Sequence, residues 1–75
     1  MQRIRYYREL AGLTQWELGK KCGFKSTQSR IAQYERGGRI PPLPIARIIV
    51  KALNQSGVKC SLDDVFPADK VLARR

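Results

Sequence analysis

The sequence predicts an all-α fold, a compact bundle of five short helices. Three observations point there. Apolar residues recur at three- and four-residue spacings, as on one face of a helix, across residues 4–11 and 45–53. Cap residues and glycines punctuate the chain where such runs begin and end. No segment alternates apolar and polar residues with the period of a strand, and there is no hairpin signal or internal repeat.

The first helix is expected over residues 2–11. Ile4, Tyr7, Leu10 and Ala11 form its apolar stripe, with Arg3, Arg5 and Arg8 on other faces. Gly12 follows as the residue able to take a positive φ at the helix end. The second helix opens in "LTQWELGKKCG". Thr14 is its N-cap and Glu17 stands at capping-box spacing. Leu13 is placed to staple against the helix, Leu18 and Cys22 share a face, and Gly23 ends it. Trp16 falls on the outer side. The turn "FKST" follows, with Phe24 as a core plug.

Thr27 is read as the cap of the third helix, "TQSRIAQYER", which "RGGRIPP" then breaks. The fourth helix is expected over residues 43–53. Pro42 and Pro44 suit its start, where backbone N–H groups have no partner within the helix. Its apolar stripe is Ile45, Ile48, Ile49, Ala52 and Leu53. "NQSGVKC" is a polar loop. "SLDDVF" reads as a short fifth helix capped by Ser61, with Asp63 and Asp64 suited to the dipole of its first turn. The domain is expected to span residues 1–67, with 68–75 a basic tail or helical extension.

Composition narrows the function. A chain of 75 residues holds one domain at most, and a core of this size supplies only about 3–5 kcal/mol, so oligomerisation is a common supplement. The formal net charge of +9 suits a polyanionic partner such as nucleic acid, or an anionic membrane surface. No apolar run approaches the roughly 18 residues of a membrane span. The first residues, "MQRIRYYRELAG", carry no apolar signal-peptide core. Cys22 and Cys60 make no disulfide framework, and with no histidine they make no zinc site. Cys22 is expected in the core; Cys60 is undecided. These features predict reduced thiols and a cytoplasmic location, in association with the nucleoid. No catalytic residue, metal site or cofactor is expected, since there is no histidine, metal cluster or glycine-rich phosphate loop.

The third helix raises the functional question. Wound at about 100° per residue, it puts Thr27, Ile31 and Tyr34 on one side. Gln28, Ser29, Ala32, Gln33 and Arg36 fall on the other, a face with amides, a hydroxyl, a methyl and a guanidinium but no carboxylate. The second and third helices are joined by a short turn around Gly23. A first helix gripping the backbone and a second entering the major groove is the helix-turn-helix arrangement. The groove floor offers the matching chemistry: glutamine pairs with adenine, serine bonds several base edges, and alanine meets the thymine methyl. Gln28, Ser29, Ala32 and Gln33 are the expected base readers. Lys25, Arg36 and Arg39 flank the helix where basic side chains meet phosphates. Arg30 lies toward the buried edge, with a phosphate or packing role.

"IRYYRELAGLTQWELGKKCG", "TQSRIAQYERGGRIPPLPIARIIVKAL" and "SLDDVF" together resemble the XRE/Cro-type helix-turn-helix family of phage repressors, restriction-modification controllers and antitoxins. The resemblance runs over roughly residues 4–66 and implies a lambda repressor-like DNA-binding domain. It implies that Gln15, in the Leu-Thr-Gln segment opening the second helix, touches a DNA phosphate. It also implies that Arg8 of the first helix pairs with Glu35. The sequence departs from the family in a longer turn, "GFKST", a longer loop, "NQSGVKCS", and Pro44 at a position usually polar.

These readings predict a regulator of transcription that binds double-stranded DNA in sequence-specific fashion. It is expected to repress from a palindromic operator, as a homodimer at least on DNA. An alternative is an antitoxin that neutralises a toxin partner and binds its own promoter. A third class, a basic module for RNA or membranes, is disfavoured by the few exposed aromatics and the lack of an RNA-stacking motif.

Overall fold

The computed structural model describes residues 2–25 and 27–67. Five helices follow in order: α1 (Ile4–Leu10), α2 (Gln15–Cys22), α3 (Thr27–Arg36), α4 (Leu43–Gln55) and α5 (Leu62–Val65). There is no strand among the described residues. The basic tail anticipated at 68–75 lies outside them.

Every helix contributes to the core, α4 the most. Ile4, Leu18, Ile31, Ile49, Leu53 and Val65 are fully buried, and Phe24, Tyr34 and Ala52 complete the cluster. Tyr7, Ala11, Leu13, Cys22, Ile45 and Val50 pack around it. The α2–α3 contact is the most extensive between any two helices. Gly19, in the middle of α2, is buried beside Leu18.

Local chemistry accounts for most helix ends. Thr14 accepts from the Glu17 N–H at 3.0 Å while the Thr14 N–H donates to the Glu17 carboxylate at 2.8 Å, a complete capping box. Ser61 and Asp64 repeat that box at α5. At the end of α2, Gly23 sits at φ 80°, a conformation a Cβ would disfavour. That turn lets the Gly23 N–H reach the Lys20 carbonyl and the Phe24 N–H reach Gly19, the paired bonds of a Schellman ending. The same geometry at Gly37, φ 84°, closes α3.

Several boundaries and faces differ from expectation. The first helix is shorter, and Leu10 is 59% exposed rather than in the stripe. Arg8 lies closer to Ile4 on the wheel and occupies the inward flank instead. Thr27 is already the first helical residue of α3, so it does not stand before the helix as its cap. In α4, Ile48 is 39% exposed and Ala46 takes its place inside, because Ala46 lies three and seven residues before Ile49 and Leu53, beside both on the same face. This helix also runs on to Gln55. Asn54 sustains its last turn by donating to the carbonyls of Val50 and Cys60, both at 3.0 Å. Cys60 is partly buried against the core, as is Cys22. The Arg3 N–H donates to the Val65 carbonyl at 2.7 Å and ties the first residues to α5.

Candidate nucleic-acid interface

α3 is amphipathic across its width. Ile31 and Tyr34 are buried, Gln28, Ser29 and Arg36 are exposed, and Ala32 and Gln33 are half-buried on the flanks of the outer face. Lys25, in the turn before α3, and Arg39, in the loop after it, are both exposed. Gln15 is half-buried at the first position of α2.

Glu35 is the one carboxylate in α3, and it points inward. Its Oε2 accepts from Arg8 Nε at 2.6 Å and its Oε1 accepts from Arg8 Nη2 at 3.2 Å. The two side chains are only 12% and 7% exposed. Arg8 spends another donor on the Leu13 carbonyl at 2.9 Å, just before α2 begins. Gln15 Nε2 donates to Glu35 Oε1 at 3.1 Å. One carboxylate therefore ties together α1, the link into α2, and α3.

Arg30 turns toward the core edge. Its guanidinium stacks 4.3 Å from the Phe24 ring, and Nη2 donates to the Tyr34 hydroxyl at 3.3 Å. Beside it, burial pushes the Cys22 thiol up to about 11, with the Arg30 charge pulling weakly the other way. On the outer side of α2, Trp16 is exposed with the Lys20 ammonium 4.7 Å from its ring.

Two contacts that hold α3 had no signal along the chain. Gln2 Nε2 donates to the Tyr34 and Glu35 carbonyls at 2.8 and 3.1 Å, while its Oε1 accepts from the Ile4 N–H at 2.7 Å. One side chain thus serves the start of α1 and the end of α3. The Gln15–Glu35 bond is the second. Both join residues far apart in sequence, where no periodicity or cap pattern could find them.

Among the described residues no group of three or more His, Cys, Asp or Glu side chains is placed to hold a metal ion. No helix of the described chain is long and apolar enough to cross a membrane.

Compared with protein families, residues 4–58 match the helix-turn-helix model, a span that takes in α1 through α4 and the turn beyond. The chain belongs to the XRE/Cro/lambda-repressor-type helix-turn-helix family. Searches of curated proteins and of solved structures found no match. Members of this helix-turn-helix family are DNA-binding regulators of transcription. In this helix-turn-helix chain the matched span includes α2, the turn at Gly23 and α3, and α5 lies beyond it.

Proposed function

We propose that the protein is a sequence-specific repressor that binds a palindromic operator as a dimer, with α3 of each copy in the major groove. The observation that carries this reading is the inward turn of Glu35. With that carboxylate bound to Arg8, the exposed side of α3 presents amides, a hydroxyl and basic groups to a polyanion. In this reading Gln28, Ser29, Ala32 and Gln33 meet base edges in the groove, which is about 12 Å wide and admits one helix.

Gln15, Lys25, Arg36 and Arg39 grip phosphates on either side of that helix. Arg30, braced on Phe24 and Tyr34, adds a phosphate contact through its remaining N–H groups. Phosphate contacts fix register and orientation, and base contacts supply the sequence preference. One short helix reads few bases, so two copies on successive major grooves about 34 Å apart supply the specificity. Repression follows from occupancy where the operator overlaps a promoter, with no chemical step.

Selection from random duplex DNA, followed by sequencing, tests this reading. It should return an inverted repeat whose half-sites are centred one helical turn apart. Recovery of no consensus would overturn sequence-specific binding, and an asymmetric single half-site would overturn the dimer.

A further inference from the structure

We infer that Glu35 is a positioning residue for DNA backbone contact: its carboxylate fixes the Gln15 amide so that one N–H is held inside and the other is presented to a phosphate. The inference rests on the DNA-binding reading above and adds to it a residue that touches no DNA itself.

The carboxylate decides which way the amide faces. An ionised carboxylate only accepts hydrogen bonds, so the side of Gln15 against Glu35 must be its NH₂ end and never its oxygen. The observed bond is Gln15 Nε2 to Glu35 Oε1 at 3.1 Å. A glutamine amide at an unconstrained helix start samples several rotamers and both faces of its amide, and half of those offer the wrong atom to a phosphate. Here the acceptor is itself held by several hydrogen bonds. Arg8 holds both of its oxygens, at 2.6 and 3.2 Å, and is anchored in turn on the Leu13 carbonyl at 2.9 Å. Gln2 grips the backbone carbonyl of Glu35 at 3.1 Å. The nitrogen of Gln15 carries a second N–H, and that donor remains after the inward bond is made.

The consequence is that gripping and reading share one rigid mount. Glu35 stands on α3 with the proposed base readers Gln28 and Gln33, while Gln15 opens α2. A phosphate captured by Gln15 thereby sets the position of α3 through a single side-chain bond. Charge alone predicts the opposite outcome for loss of Glu35. Removing an anion raises the net charge of +9 by one and should strengthen DNA binding. Positioning predicts that binding weakens.

The first measurement is the side-chain NH₂ spectrum of ¹⁵N-labelled protein without DNA. Gln15 should show two well-separated proton signals, one in slow exchange with water, and a duplex taken from the random selection should shift the other. Gln15 protons that exchange like those of a solvent-exposed glutamine would overturn the inference, whether or not any variant folds. The second is a cycle of Gln15→Met, Glu35→Gln and both, measured on that duplex and on random-sequence duplex. Gln15→Met should weaken binding to both DNAs about tenfold, a charge-assisted hydrogen bond being lost. The salt slope should not change, because the amide carries no charge. In the Glu35→Gln background the same substitution should cost less than threefold. Equal losses in the two backgrounds overturn the inference alone, while a protein that binds no duplex overturns the DNA reading and the inference with it.

Discussion

Arg8 and Glu35 form a two-point ion pair across the α1–α3 contact, with Nε 2.6 Å from Oε2 and the side chains only 12% and 7% exposed. At that burial the pair cannot be treated as a surface salt bridge worth a fraction of a kcal/mol. Removing one member strands the other charge with little water to solvate it. Glu35→Ala should therefore cost about 3 kcal/mol, a large share of the stability of so small a domain. The Arg8→Met, Glu35→Gln double variant should be more stable than the sum of the single losses predicts, because no charge is stranded. Urea melts of Glu35→Ala, Arg8→Met, Glu35→Gln and the double variant check this. Small, additive effects would show that the pair does not hold α3 in place.

Gln2 is the second brace on α3. Its amide satisfies two carbonyls at the end of that helix and one N–H at the start of α1. Gln2→Ala should cost about 1 kcal/mol in a urea melt. Amide exchange should quicken in the last turn of α3 and leave α4 unchanged. Exchange that quickened uniformly would mean that the bond has no local role.

Much of this architecture is legible residue by residue. Thr14 with Glu17, Ser61 ahead of Asp64, and Gly23 after Cys22 are local signals, and each ends or starts a helix where it stands. The faces are harder. Leu10 and Ile48 match an apolar pattern yet stay exposed, while Arg8 and Ala46 occupy the inner flank. Periodicity locates a stripe but not its edges, and at the edge an ion pair or a small residue can displace a larger apolar one. The outer face of α3 follows from winding alone, because Ile31 and Tyr34 fix the inner side. The braces from Gln2 and Gln15 are long-range side-chain bonds and leave no trace in local sequence.

Cys22 gives a pH-dependent prediction. Its thiol is pushed up to about 11 by burial, from an ordinary value of 9.0. A thiol whose folded pKa is raised binds its proton more tightly in the folded state. Its contribution to stability is fully present below the ordinary value and is lost as pH rises through the window up to about 11. The comparison that isolates this thiol is with Cys22→Ala. The wild type should lose more stability than the variant between those limits. Parallel curves would show that the thiol ionises as readily folded as unfolded.

The basic residues around α3 should act as a class of their own. Arg36→Ala and Arg39→Ala should weaken binding to cognate and random duplex alike, since phosphate contacts carry no direct sequence information. Each should also flatten the log–log dependence of affinity on salt by about one unit. A loss confined to the cognate site, at an unchanged slope, would place these arginines against bases instead.

The most direct test of the account concerns the exposed face of α3 and the two amides on it. Gln28→Ala and Gln33→Ala should each relax the preference at particular base pairs of the operator, by about 1–3 kcal/mol. Affinity for random duplex and the salt slope should scarcely change, because no charge is removed. The measurement is repeated random-duplex selection with each variant, paired with affinities on the wild-type site and on random DNA. Single, different positions of the half-site should lose their preference in the two variants. An unchanged consensus with equal loss of affinity for every sequence would contradict it.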